Sequence, residues 1–315
     1  MKAPAIQYDK AVKAAPLTRP DDVARLLNGA VDLHCHSGPA VMPRILDHYD
    51  AMMDCAEMKF RALVYKDHYY SGMPHAIMLE RLVPDTGVEL FSGLVLNNAS
   101  GGINPHAVDH ALRLGAKIIW MPTLAARNHI AQTSGAAKNF PKSSEAMLPP
   151  IALSCLDANG ALTDDTKLIL DLIAAADVIL AGGHLHVSEL HVLFREAKAR
   201  GVKKMIINHP TYVIGCTDAD MVDLASLGVF MEHEIGMFVP GRAQKGDAKE
   251  LLRLIDLVGV ERAVLSSDLG LFGSMRPVDG YRSLVQEFLN LDVPETKITR
   301  LISANGAALL NLPPQ

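Results

Sequence analysis

Cysteine is sparse in this chain: Cys35, Cys55, Cys155 and Cys216 are spread over 315 residues. None stands in the close pairing of a zinc ribbon or a redox motif. Reduced thiols in a cytoplasmic protein are therefore expected. Blocks of Lys/Arg are also missing, and the formal net charge is −5, which argues against a nucleic-acid surface. No uncharged apolar run approaches the length of a membrane span. The first twenty residues lack the apolar centre of a signal peptide. Aromatic residues make up 5% of the chain, yet hydrophobic residues reach 49%, enough for a sizeable core. A soluble protein acting on a small molecule is expected, self-associating as a homo-oligomer, with neither nucleic acid nor membrane as partner.

What the chain does contain is alternation. Residues 1–17 read as a loose leader. Thr18-Arg19-Pro20-Asp21-Asp22 supplies a cap, an early proline and early acids for a helix that Asn28-Gly29 stops. Short apolar runs follow at 30–35, 61–66, 90–96, 116–121, 177–182, 203–208, 228–232 and 262–267. They read as parallel strands covered on both faces. Amphipathic segments such as Asp164–Ala175 and Ser188–Arg200 lie between them. Eight strands alternating with helices predict a (β/α)8 barrel over residues 30–315, preceded by a leader and helix at 1–29. An open doubly wound sheet is the alternative, but no glycine-rich nucleotide fingerprint follows any strand. The rhythm breaks after the fourth strand, where an insertion spans about 123–163. Within it, 131–146 reads either as part of a lid or as disordered chain, and Asp157-Ala158-Asn159-Gly160 as the turn of a small hairpin.

In such a barrel the chemistry sits where strands end. In Val31-Asp32-Leu33-His34-Cys35-His36 the alternation of an extended strand sends His34 and His36 to one face and Cys35 to the other. The other strand ends carry Lys66-Asp67-His68, Asn97-Asn98, Thr123, His184 with His186, His209, Glu232-His233-Glu234 and Asp268. Histidines and an aspartate at successive rim positions point to a divalent metal site. For substrate, Arg44 could grip a carboxylate bidentately, as could Arg127, Asn128 and His129 on the insertion. His68, His186, Tyr212 and Glu232 are further pocket candidates.

VDLHCH, GGHLH, INHP and SSDLG, at the first, fifth, sixth and eighth strands, resemble the motifs of the amidohydrolase superfamily, and the likeness spans about 31–310. Gly306 stands where proline is usual after the asparagine of the closing SANGAALLNL. IWMPTLAARNH and LDANGALT are similar to a little-characterised bacterial branch. The resemblance implies metal-dependent hydrolysis, with zinc, or manganese in its place, as one or two ions. It implies that His34, His36, His184, His209 and Asp268 hold the metal, with Asp268 also taking a proton from the attacking water and His209 beside it in catalysis. His184 is preferred to His186 at the fifth strand because Gly182-Gly183 precedes it.

The fourth strand departs from that pattern. Its rim end, Trp120-Met121-Pro122-Thr123, offers no lysine or glutamate to bridge two ions, and Lys117 lies at the opposite end. Either one metal is bound, or Lys66, in carboxylated form, supplies the bridge from the second strand. Lys66 could otherwise bind an anionic substrate or pair with Asp67. Two rival activities share these residues. The polymerase and histidinol phosphatase type of phosphoesterase has a similar first motif, but closes its site with Asp-x-His where this chain has Asp268-Leu269-Gly270. A metal-dependent decarboxylase on the same barrel suits a single ion.

Overall fold

The computed structural model describes residues 4–133, 143 and 146–313. Eight strands follow one another in chain order around a single sheet: β1 (Val31–Cys35), β2 (Ala62–Tyr65), β3 (Glu89–Val95), β4 (Ile118–Trp120), β5 (Ile179–Ala181), β6 (Lys204–Asn208), β7 (Phe230–Glu234) and β8 (Ala263–Ser266). Each neighbouring pair is parallel. Past β8 the chain turns back onto β1: Asp268 N donates to His34 O at 2.8 Å, and His36 N donates to Leu269 O at 2.9 Å. The result is the expected (β/α)8 barrel, and each strand overlaps the apolar run that predicted it.

Both faces of each strand are buried, which is why the runs are apolar throughout. Val31, Leu33, Val64, Ile118, Trp120, Ile179, Ile206 and Val264 form the inner cluster. Their neighbours Leu63, Ile119, Leu180, Ile207 and Leu265 pack outward beneath the helices. The indole of Trp120 fits because β3 carries Gly93: a Cβ there would lie 2.7 Å from the Trp120 ring and 1.9 Å from Ile118 O. Ala307, Leu309 and Leu310 join the inner cluster from the C-terminal helix Asn305–Leu309. Asn305 ties that helix to the start of β8 by donating to Ala263 O at 2.7 Å.

Three local expectations are corrected. The described part of the leader is not loose: Gln7 N donates to Arg44 O and Val12 N to Ser274 O, both at 2.8 Å, and Val12 and Leu17 pack on the core. Arg19, not Thr18, precedes the helix Pro20–Leu27, with no side-chain cap. Thr18 N is instead drawn to Gln286 Oε1 at 3.0 Å. In β1, strict alternation is interrupted, since Asp32 pairs with Leu63 but Cys35 with Tyr65. This one-residue bulge lets Leu33 face inward while Cys35 still faces the helices.

The insertion is fastened to the rim at its described ends. Helix Arg127–Thr133 follows β4, and Arg127 N donates to Leu153 O at 2.7 Å. The expected turn at Asp157–Gly160 closes with an antiparallel bridge between Leu156 and Leu162. The stretch expected as lid or disorder, 131–146, falls largely outside the described residues. Among the described residues no helix is long and apolar enough to cross a membrane.

Candidate metal centre

β1 and β8 bring three donors together at the barrel mouth. Asp268 Oδ1 lies 2.9 Å from His36 Nε2 and 3.3 Å from His34 Nε2. His36 Nδ1 is 3.0 Å from Lys66 O, a carbonyl that can only accept, so that nitrogen carries the ring proton. Burial holds the His36 pKa well below the ordinary 6.5, so the ring is neutral. Its Nε2 lone pair therefore faces a carboxylate oxygen at contact distance. Two acceptors so placed repel unless a cation lies between them, and a histidine turned by a carbonyl on its other nitrogen is the usual arrangement of a metal ligand. The donor set thus fits a divalent ion. His34, His36 and Asp268 all place ligand atoms within 4.8 Å of one another.

The backbone is bent to present these groups. Asp268 and His209 have φ of 46° and 33°, a left-handed region costly for residues with a Cβ and concentrated at functional sites. Gly270 permits the β8 loop to close on β1, since a Cβ there would lie 1.8 Å from His36 O.

Below this mouth sits a buried charge cluster. Lys66 Nζ is 2.8 Å from His34 Nε2, so the ammonium already supplies one cation to a ligand nitrogen. Burial lowers the Lys66 pKa, against the pull of Asp268, Glu234 and Glu232. His34 Nδ1 faces the β7 acids, 3.1 Å from Glu234 and 3.6 Å from Glu232. Glu232 also accepts from Ser266 Oγ at 2.6 Å and from Asn208. It is an interior anchor beneath His34 rather than a pocket residue. Glu234 is pushed well above the carboxylate range, first by burial and then by the Glu232 charge. His34, Glu232 and Glu234 form a second group able to hold a metal. Placing the end of β7 at Glu232 left Glu234 unused, although the alternation Glu232-His233-Glu234 puts both acids on one face.

A chain of imidazoles continues around the mouth, with ring centroids 5.1 Å apart for His36–His68, 6.2 Å for His68–His184 and 4.9 Å for His184–His209. Burial lowers the pKa of each. His209 Nδ1 donates to Tyr212 O at 3.1 Å, leaving Nε2 as an acceptor. His184 Nδ1 is 2.8 Å from His129 Nδ1, with the rings stacked at 4.8 Å. When His184 donates, its Nε2 is likewise an acceptor. His68 differs. Thr123 Oγ1 accepts from Asn97 Nδ2 at 2.7 Å and can give its own hydrogen to His68 Nδ1 at 2.9 Å. With that tautomer, His68 presents an N–H at Nε2.

These groups line an open cavity whose wall includes His36, Lys66, His68, His184, His209, Tyr212 and Asp268. Its outer part is closed by Met237, Arg242, Ala243, Lys245, Leu271 and Ser274. His184 and His209 share this cavity but stand outside the tight His34–His36–Asp268 group. Other expected contacts lie elsewhere. Arg44 is buried, bonding Asp67 at 2.8 Å and Ser37 O at 3.3 Å, so Asp67 pairs with Arg44 and not with Lys66. Arg127 is exposed on its helix. Asn128 spends its amide on His184 O at 3.1 Å and Val213 O at 2.7 Å, bracing the β5 rim. His186 is exposed and caps helix Val187–Ala199 by accepting from Ser188 N at 3.3 Å. The loop residues Arg242 and Lys245 carried no periodic or motif signal. Their cavity position depends on how two loops fold together.

Residues 29–232 match the model of DUF6282, described as a family of unknown function. The chain belongs to that family. No curated protein matches its sequence. Among solved structures, this chain shares its fold with an amidohydrolase from Pseudomonas aeruginosa, at 11% identity and TM-score 0.63, covering 93% of this chain and 98% of that one. The probable dipeptidase PvdM from Pseudomonas aeruginosa is similar at 11% identity and TM-score 0.64, covering 93% and 96%. A 2,6-dihydroxybenzoate decarboxylase bound to 2,6-dihydroxybenzoate aligns at 13% identity and TM-score 0.54, covering 90% and 100%. At these identities the likeness is one of fold, a (β/α)8 barrel covered over nearly its whole length.

Proposed function

We propose that this chain is a metal-dependent hydrolase that cleaves an amide, lactone, cyclic imide or similar C–N or C–O bond of a small molecule. The observation that carries the reading is the lone pair of His36 Nε2 set 2.9 Å from Asp268 Oδ1, a contact that calls for a cation. His34, His36 and Asp268 would hold it, with His184 and His209 turned toward the same cavity. Zinc suits an imidazole and carboxylate donor set, with manganese as the alternative. When bound, such an ion lowers the pKa of water and polarises a carbonyl. Asp268, whose side chain keeps 19% exposure, takes the proton of the attacking water and returns it to the leaving group. The N–H of His68 orients the carbonyl oxygen under attack. Lys66 has two possible roles: carboxylated, it would supply a further oxygen ligand for metal; as an ammonium, it would balance the β7 acids. Two ions per chain and a bicarbonate-dependent recovery of apo-protein identify the first, and one ion retained in Lys66→Ala identifies the second. The exposed stripe Ile77, Met78 and Leu82 (43, 48 and 68% exposed) supports self-association.

Elemental analysis of purified protein, followed by a screen of amides, lactones and cyclic imides, tests the proposal. Protein without a divalent ion, or with one but inert toward all three classes, sinks it. One observation favours decarboxylation as a second reading. The β4 rim offers Thr123, engaged with Asn97 and His68, while Lys117 stacks on Phe91 5.5 Å away at the other end of the strand, which suits a single ion. Release of carbon dioxide from an aromatic acid without net hydrolysis distinguishes it. Phosphoester cleavage is not favoured: Gly270, where that pattern wants histidine, has φ of 101°, and a Cβ there would lie 1.8 Å from His36 O.

A further inference from the structure

The two imidazoles of β1 are held from behind in different ways. His36 gives its Nδ1 hydrogen to a backbone carbonyl, Lys66 O at 3.0 Å. His34 Nδ1 instead faces side chains, lying 3.1 Å from Glu234 Oε1 and 3.6 Å from Glu232 Oε2, with all three residues fully buried. Its other nitrogen, Nε2, has Lys66 Nζ at 2.8 Å and Asp268 Oδ1 at 3.3 Å. An imidazole that ligates a metal is neutral and carries one hydrogen. A cation at Nε2, whether the Lys66 ammonium or a bound ion, takes the lone pair there, so the hydrogen stands on Nδ1. A buried N–H needs an acceptor, and the β7 carboxylates are what the fold sets beside it.

The two acids are not equivalent. Glu232 is already occupied, since Oε1 accepts from Ser266 Oγ at 2.6 Å and Oε2 accepts from Asn208 Nδ2. Among the described residues, neither oxygen of Glu234 has a hydrogen-bond partner, and neither does His34 Nδ1. The pair stands at hydrogen-bond distance without a hydrogen bond's alignment. Left so, Glu234 is a buried acid against a second acid, which is costly.

We propose that Glu234 is a positioning residue of the metal centre: its carboxylate receives the Nδ1 hydrogen of His34 and fixes the tautomer that offers Nε2 to the ion. This rests on the metal-dependent reading of the mouth. A carboxylate polarises an imidazole more than a carbonyl does, so His34 is the stronger ligand of the β1 pair. The same hydrogen bars an ion from the group of His34, Glu232 and Glu234, because that ion would need the Nδ1 lone pair.

The test is chelator competition for zinc on the full chain, with the visible spectrum of cobalt-substituted protein and thermal melting of the chelated form. Glu234→Gln keeps the shape without the charge. It should weaken zinc by roughly 10- to 100-fold and move the cobalt bands. Chelated Glu234→Gln should melt no lower than the unaltered chain, because it relieves an acid buried against Glu232. Glu232→Gln should do the reverse, lowering the melting temperature by disturbing Ser266 and Asn208 while costing less zinc affinity. A third measurement needs no variant at Glu234. In zinc-loaded protein labelled at the histidine nitrogens, the Nδ1 hydrogen of His34 should resonate further downfield than that of His36, because its acceptor is charged. Unchanged zinc affinity in folded Glu234→Gln, a lower melting temperature with zinc unaffected, or the opposite order of the two resonances would each overturn the proposal. So would two ions in the unaltered chain and one in Glu234→Gln, which would put an ion among the β7 acids. Zinc bound tightly and indifferent to Glu234→Gln removes this inference and leaves the hydrolase. An unaltered chain without affinity for zinc or cobalt removes both.

Discussion

The mouth of the barrel has two walls of opposite character. On the β3–β4 side, Asn97 is fully occupied: Nδ2 donates to His68 O at 2.9 Å and to Thr123 Oγ1 at 2.7 Å, and Oδ1 accepts from Thr123 N at 2.9 Å and Ala125 N at 3.0 Å. On the β1–β7–β8 side, acceptors face acceptors, two buried glutamates share one histidine, and a lysine ammonium touches an imidazole. Polar groups buried and satisfied hold a structure rigid. Polar groups buried and in conflict are costly, and persist where another component resolves the conflict. One wall is therefore scaffold and the other is built to be completed.

The contrast is broken most severely by His34→Ala with His36→Ala. Two ligand nitrogens are removed from one strand end, so metal content should fall to near zero by elemental analysis. Full metal content in that double variant would show that the conflicted wall is not the metal wall. Asp268→Asn keeps the shape and one coordinating oxygen but cannot take a proton. Metal should stay within about a factor of two while turnover of an identified substrate falls by roughly 10²–10⁴. Equal loss of both would reduce Asp268 to a ligand.

On the opposite wall, Asn97→Ala should leave metal content intact and lower unfolding stability by about 2–4 kcal/mol in a denaturant titration, because it strands several buried partners at once. Metal loss without destabilisation would reverse the assignment of the walls. An effect confined to acid pH, and absent at neutrality, is expected away from both. His48, bonded to Ser37 Oγ at 2.6 Å, has its pKa driven down to about 3 by burial. Unfolded, it protonates near 6.5; folded, it stays neutral down to about 3. The unfolded chain thus binds more protons in that window, and stability falls as pH drops through it, by about 1.4 kcal/mol per pH unit for one such group. Folded His48→Gln should show a slope shallower by one proton in pH-dependent unfolding of chelated protein. An unchanged slope would show that His48 does not carry the acid sensitivity.

Much of this was legible beforehand. The eight strands were readable because burial on both faces leaves an unbroken apolar run, and His34, His36 and Asp268 because each closes such a run. Less legible were residues whose meaning depends on a distant partner. Arg44 has the chemistry of a carboxylate clamp, but Asp67, 23 positions later, already fills it. His186 shares a face with His184 in an extended strand, but β5 ends at Ala181 and His186 turns outward to cap the next helix. Asn128 proved to brace backbone. Glu234 was visible in the strand pattern but hidden by ending the strand two residues early.

Local order determined the barrel, because strand and helix periods are properties of neighbouring residues. It also determined which residue types reach the rim, because strand ends are marked by where apolar runs stop. Tertiary structure alone decided which of those groups meet. The bulge in β1, the closure of β8 onto it through Gly270, and the locking of Arg242 to Phe272 and Gly273 each join segments remote in sequence. Contacts of that kind leave no periodic trace, since their geometry is fixed by the closed barrel and not by the residues on either side.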